Sequence, residues 1–346
     1  MTIQSVAQAL VGRNKGLLAM DESTATCHRR FASLNIPQTE AARHAWRTLL
    51  VTTPRLNTCI SGAILVDETI RQSDGHGVSL VAWLRGAGII PGIKVDRGTV
   101  DLALHPGETI TEGLDGLRER LCSYATLGAG FAKWRAVLRV SDTRPSPASI
   151  HANAAALARY AALCQEAGLV AIVEPEVLME GSHSLYRCGE VTRALLHAVF
   201  AALRQQSVAM DGIILKPNMI LPGTDCTQQP DLAEVTAATL HSLRDSVPAD
   251  VAGIAFLSGG QPDLLATRRL NALNALAQGG GSRPPWPMTF SFGRALQREA
   301  LSIWAGEPEH AAQAQAALHK RALCNHAALT GHYLSTMEDA PPDTSR

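Results

Sequence analysis

Short apolar runs recur along the chain, separated by longer stretches of mixed character. The runs are GLLAMD (16–21), GAILVDE (62–68), GIKVD (92–96), FAKWRAVLRV (131–140), LVAIVEPEV (169–177), GIILKP (212–217), GIAFLSGG (253–260) and MTFSFGR (288–294). Most are rich in Ile, Val and Leu, as strands buried on both faces are. Between them the apolar positions fall at helical spacing. In NAAALARYAALCQEAG (153–168) Leu157, Tyr160, Ala161 and Cys164 share one face, and Gly168 marks the stop. VTRALLHAVFAALRQQ (191–206) reads the same way, and TEGLDGLRERLCSYATLG (111–128) predicts a helix with Thr111 as N-cap and Gly128 at its end.

Strands alternating with helices predict an α/β protein with a parallel sheet. Eight candidate strands fit a single-domain (β/α)8 TIM barrel. A doubly wound sheet lacks its G-x-G-x-x-G fingerprint here. A propeller would need four strands per repeat, and a helical solenoid would not carry these β-branched runs. The barrel is expected over residues 1–333. The loop QGGGSRPPWP (278–287) is expected to be flexible, and the segment 334–346 to be a mobile tail without apolar periodicity.

Composition narrows the picture. The chain is 46% apolar and 18% charged with zero formal net charge, so no global field points to nucleic acid or an anionic membrane. No apolar run reaches the ~18 residues of a membrane span, and the N-terminus lacks the pattern of a secretory signal. The 7 cysteines are scattered and never spaced C-x-x-C, which argues against a disulfide framework and a thiolate zinc site and favours the cytoplasm. Only five of the 31 basic residues are lysines: Lys15, Lys94, Lys133, Lys216 and Lys320. A lysine kept where arginine is the rule suggests a need for an amine that can lose its proton.

In a barrel the chemistry sits at the C-terminal ends of the strands. Those ends carry Asp21, Asp67 with Glu68, Lys94, Lys133 with Arg135, Glu174 with Glu176, Lys216, Ser258, and Ser291 with Arg294. Strand ends are polar by default, which explains one lysine there better than it explains three of five beside several carboxylates. Lys216 ends the run GIIL and is followed at once by Pro217, which stops the strand. In a barrel mouth, partial burial and neighbouring ammonium groups, Lys133 and Lys94, favour the free amine that attacks a carbonyl. A structural ion pair to Glu174 is the competing explanation. Two glycine turns, LSGGQ (257–261) and SFGRAL (291–296), follow the seventh and eighth strands, the recurrent phosphate site of such barrels. Gly259, Gly260 and Gly293 let backbone N–H groups approach an anion, and Arg294 adds charge. Arg29 and Arg30 fit a second anion site and a solvated helix face equally well.

Taken in order, GLLAMDES, GIKVDRG, FAKWRAVL, VEPEVL, LKPNMILPG, FLSGGQ and SFGRALQ resemble the motifs of class I fructose-bisphosphate aldolase, over about residues 10–330. The resemblance implies a (β/α)8 barrel, a homotetramer, no metal or other cofactor, and reversible cleavage of fructose 1,6-bisphosphate to dihydroxyacetone phosphate and glyceraldehyde 3-phosphate. It implies that Lys216 forms the Schiff base, that Glu174 is the principal acid/base, and that Asp21 acts at the C4 hydroxyl. Lys133 would stand beside the Schiff base, with Glu176 as a supporting carboxylate. Ser258, Gly259, Ser291, Gly293 and Arg294 match the C1-phosphate site, with Gly260 in the same turn. Ser23, Arg30, Lys94 and Arg135 match the other half of the substrate site. The chain departs from many members at Met20, Arg29 and Phe292, and its last residues, PPDTSR, hold no tyrosine. Transaldolases and deoxyribose-phosphate aldolases share the lysine chemistry but do not need two phosphate sites. A zinc aldolase would need histidine ligands, and none of the 12 histidines lies in the strand stretches.

Overall fold

A computed structural model describes residues 2–12, 14–278 and 283–339. Eight parallel strands close into a barrel: β1 (Gly16–Ala19), β2 (Ile60–Leu65), β3 (Ile90–Lys94), β6 (Phe131–Leu138), β7 (Val170–Val177), β8 (Ile213–Leu215), β9 (Gly253–Phe256) and β10 (Met288–Phe292). Each pairs with its neighbour, and β1 pairs with both β10 and β2, so no edge is left open. The missing pair is a small antiparallel hairpin, β4 (Thr99–Asp101) and β5 (Thr109–Thr111), between β3 and β6.

The barrel's inner face explains why apolar strands end in charge. Side chains alternate with a period of two along a strand. Leu17, Ala19, Phe131, Val170, Ile172, Ile214 and Ala255 fill the lower layers, and the helix Ile3–Val11 closes the bottom with Ala7, Leu10 and Val11. The same parity, carried upward, gives Asp21 after Ala19, Lys133 after Phe131, Glu174 after Ile172, and Lys216 after Ile214. The alternate residues, among them Leu18, Ala132, Trp134, Val173, Ile213 and Leu215, belong to the larger core between barrel and helices. Two glycines are dictated by this packing. A Cβ on Gly16 would lie 2.3 Å from Phe290 Cζ, and one on Gly92 would lie 2.2 Å from Phe131.

The expected helices form as Pro147–Glu166 and Leu185–Gln205, with Leu157, Tyr160, Ala161 and Cys164 all buried. The third differs. It runs Leu117–Thr126 with Gly116 at the N-cap in the left-handed region, φ 64°. Thr111 is instead a residue of β5, and its hydroxyl donates to the Arg135 carbonyl at 2.8 Å. A strand of three residues offers too few positions for a periodic signal, which is why the expected helix began on its last residue.

Residues 279–282 of the loop 278–287 lie outside the described residues; beyond them Trp286 is buried and donates to the Pro248 carbonyl at 2.8 Å. The segment after Tyr333 keeps contact with the barrel as far as it is described. Ser335–Glu338 form a 3-10 turn, and Glu338 accepts from Arg321 at 2.7 Å and from the Tyr333 hydroxyl at 2.8 Å. A boundary at 334 therefore does not mark the end of packing: charge anchors a segment that has no apolar period. Residues 340–346 lie outside the described residues. Among the described residues no helix is long and apolar enough to cross a membrane.

Candidate active site

A cavity of about 380 Å³ opens at the C-terminal mouth of the barrel. Asp21, Lys133, Glu174, Glu176 and Lys216 line it, as do Ser23, Arg30, Lys94 and Arg135. So do Ser258, Gly259, Gly260, Ser291, Gly293 and Arg294. Asp67, Glu68 and Arg29 do not: Asp67 pairs with Arg71 and Glu68 with Arg43 outside the cavity, and Arg29 lines a neighbouring cleft.

On the floor, charges alternate at contact distance. Lys133 Nζ lies 2.7 Å from Asp21 Oδ2 and 3.0 Å from Glu174 Oε2, and Lys216 Nζ lies 3.0 Å from Glu174 Oε1. Lys133, Glu174 and Lys216 are 3%, 4% and 3% exposed, so these three charges meet solvent only through the cavity. Burial pushes the Asp21 carboxyl up, but the Lys133 and Lys216 ammonium groups outweigh it and hold Asp21 well below the usual carboxylate range. Glu174 is lowered in the same way: burial opposes, and Lys133, Lys216 and Arg135 prevail. Burial also disfavours the Lys133 ammonium, yet Asp21, Glu174 and Asp96 together raise its pKa, so it stays charged. Glu174 Oε2 is buried and accepts no aligned hydrogen bond from the described residues, which leaves a lone pair for a proton in transit.

The two ends of the cavity differ. At one end Gly259 and Gly260 have φ of 55° and 86°, a double left-handed turn that glycine adopts without a Cβ penalty. Gly293 caps the helix Arg294–Trp304, and a Cβ there would meet the Ala19 carbonyl oxygen at 3.1 Å. Ser291 Oγ is buried with no partner among the described residues, and the Arg294 side chain is exposed. At the other end, Lys94 Nζ lies 2.5 Å from Asp96 Oδ1, and Arg135 Nε lies 2.5 Å from Glu176 Oε2. Ser23 lines the cavity while its hydroxyl caps the helix Thr24–Ala32. Arg30, expected on this half, lies instead toward Arg294: Glu22 holds it at 2.5 Å, and a Cβ on Gly293 would lie 3.8 Å from the same Glu22 oxygen.

Two expectations change. Lys94 is engaged by Asp96, so the ammonium that shares Glu174 with Lys216 is Lys133 alone. The ion pair between Lys216 and Glu174, weighed as a competing explanation, is present, and it places the carboxylate where a proton carrier would be needed. Sequence reasoning missed Asp96 and Glu22. Asp96 was legible, since it lies two residues past Lys94 on the same face. Glu22 was not, because its partners Arg47 and Gln297 come from distant helices. Among the described residues no group of three or more His, Cys, Asp or Glu could hold a metal ion.

Comparison with known proteins gives the family. Residues 2–345 match the family model described as "Glycolytic: Fructose-bisphosphate aldolase class-I". A "Probable fructose-bisphosphate aldolase class 1" of Xanthomonas axonopodis pv. citri is 50% identical over 332 residues, 96% of this chain and 98% of the relative. "Fructose-bisphosphate aldolase 6, cytosolic" of Arabidopsis thaliana is 48% identical over 320 residues, 92% of this chain and 88% of the relative. Among solved structures, a ternary complex of fructose-bisphosphate aldolase from Plasmodium falciparum with TRAP and a small-molecule inhibitor superposes with a TM-score of 0.93 at 44% identity, covering 96% of this chain and 95% of that one. The chain is a lyase that belongs to the class I fructose-bisphosphate aldolase family.

Proposed function

We propose that this chain cleaves fructose 1,6-bisphosphate reversibly to dihydroxyacetone phosphate and glyceraldehyde 3-phosphate through a Schiff base on Lys216. The observation that carries the mechanism is the shared carboxylate: Glu174 lies 3.0 Å from Lys216 Nζ through one oxygen and 3.0 Å from Lys133 Nζ through the other.

The Lys216 amine attacks the C2 ketone. Glu174 takes the proton that the Lys216 nitrogen loses and passes it to the carbinolamine hydroxyl, which leaves as water as the protonated imine forms. Asp21, kept ionised by Lys133, takes the C4 hydroxyl proton. The C3–C4 bond then breaks, its electron pair flows into the imine, and the aldehyde leaves while an enamine remains. Protonation at C3 by a barrel residue and hydrolysis of the imine, again through Glu174, release the ketone phosphate. The C1 phosphate lies on Ser258, Gly259, Gly260, Ser291, Gly293 and Arg294. Lys94, Arg135 and Ser23 hold the other phosphate, with Glu176 fixing Arg135, and Arg30 stands beside the Arg294 end. No step needs a metal. A homotetramer in the cytoplasm completes the proposal, and the free cysteines fit a reducing compartment.

Borohydride reduction with dihydroxyacetone phosphate should fix the adduct on Lys216, located by peptide mapping; labelling of Lys133 or Lys94 would overturn the assignment. Lys216→Arg keeps the positive charge but supplies no free amine near neutrality. It should abolish turnover while the melting midpoint stays within a few degrees, and substantial residual cleavage would mean the nucleophile lies elsewhere.

A further inference from the structure

The helix Asp263–Gln278 carries two adjacent arginines with opposite fates: Arg268 is exposed, and Arg269 is only 8% exposed. Among the described residues Arg269 has one hydrogen-bond partner, Gln261 Oε1, which accepts from it at 2.8 Å. Its Nε is buried without a partner. The acid on the same helix, Asp263, faces Arg298 instead, at 2.9 Å. Burial pushes the Arg269 pKa down, to about 10, with no carboxylate among the described residues to offset it. Burying a guanidinium without a counter-charge costs free energy that an apolar residue of the same volume would not.

Gln261 connects this charge to the cavity. Its side chain is 3% exposed, and its backbone N–H donates to the Ser258 carbonyl at 3.0 Å, closing the Ser258–Gly259–Gly260 turn. Its Nε2 reaches Met219 Sδ at 3.8 Å, so the amide oxygen is left to Arg269. We propose that Arg269 is a positioning residue for substrate phosphate. It fixes Gln261, and through it the phosphate turn, and places uncompensated positive charge behind that turn. This rests on the reading that the turn holds the C1 phosphate.

Arg269→Met tests it against a merely structural role. We expect KM for fructose 1,6-bisphosphate and the inhibition constant for inorganic phosphate both to rise about three- to tenfold, with kcat within about twofold, since only binding is altered. Arg269→Lys, which restores charge, should recover part of the loss. Gln261→Met, which uncouples the arginine from the turn, should raise the same two constants, and it carries the test if Arg269→Met does not fold. Unchanged constants in Arg269→Met or Gln261→Met, while Arg294→Ala weakens phosphate, would overturn the role of Arg269. If Arg294→Ala also leaves phosphate inhibition unchanged, the phosphate-site reading itself fails and this inference falls with it.

Discussion

The floor and the rim of the cavity put their charges to opposite uses. On the floor, Asp21, Lys133, Glu174 and Lys216 are packed so closely that each group's neighbours replace its water. Such charges decide one another's protonation. On the rim the charges face outward and decide what lies above them. Even there the two ends differ. Lys94 and Arg135 each already hold a protein carboxylate, whereas no ion pair of Arg294 occurs among the described residues. A phosphate arriving at the first end must share cations with Asp96 and Glu176. One arriving at the Arg294 end meets N–H groups, the unpaired Ser291 hydroxyl and a free guanidinium. The second end should therefore bind phosphate more strongly.

The largest effect expected from breaking this arrangement is Lys133→Met. Asp21 and Glu174 have lowered carboxyl pKa values, so the stability they contribute is present above the ordinary carboxylate range. It is lost only as the pH falls through their depressed folded values. Removing Lys133 deletes the foremost lowering influence on both and leaves burial, which raises them. We expect kcat to fall about 10²- to 10³-fold, and the acid limb of the kcat/KM profile, with the onset of acid unfolding, to move to higher pH. Rate and melting profiles between about pH 4 and 8 measure this. An acid limb at the wild-type position would mean that the floor charges do not control one another.

The floor was also the most legible part of the molecule, for the same physical reason. In FAKWRAV and VAIVEPEV the period of two puts Lys133 and Glu174 on the face that Phe131 and Ile172 fill below. A charged residue at an inward position stands out against an apolar pattern. The rim pairings did not stand out. Glu22 meets Arg30 eight positions on, but it is also held by Arg47 and Gln297, and only the folded chain brings those helices together. The hairpin β4–β5 was hidden because its strands are three residues each. Arg269 was hidden because its sequence neighbour Arg268 makes the pair look like a solvated face.

The rim comparison is sharpened by two substitutions and two substrates. Arg294→Ala should lower kcat/KM about 100-fold, some 2.7 kcal/mol, for fructose 1,6-bisphosphate and fructose 1-phosphate alike, since both carry the phosphate that it meets. Lys94→Met should cost about tenfold with the bisphosphate and less than about twofold with the monophosphate, because only the bisphosphate carries a phosphate to Lys94, whose charge is already shared with Asp96. Equal losses on both substrates from Lys94→Met would erase the distinction between the two ends.

The smallest effect is expected where the cavity is not involved. Arg321 is 4% exposed, and its guanidinium is met by Glu338 Oε2 at 2.7 Å and by Thr267 Oγ1 at 3.2 Å. Truncation after Tyr333 removes that carboxylate and leaves the arginine buried beside a neutral hydroxyl. Truncation after Asp339 deletes residues 340–346 alone and keeps the pair. Glu338 is partly exposed, which moderates the loss, so the shorter chain should be less stable by about 1–3 kcal/mol and melt a few degrees lower. Glu338→Gln should reproduce most of that shift. If floor and rim hold all of the chemistry, neither truncation should change bisphosphate cleavage at 25 °C by more than about twofold, an effect under ~0.5 kcal/mol in the barrier. Enamine protonation, followed by tritium exchange into dihydroxyacetone phosphate, should be equally unmoved. A tenfold loss on truncation after Asp339, with the melting midpoint intact, would place residues 340–346 at the cavity and give the enamine proton a source outside the barrel.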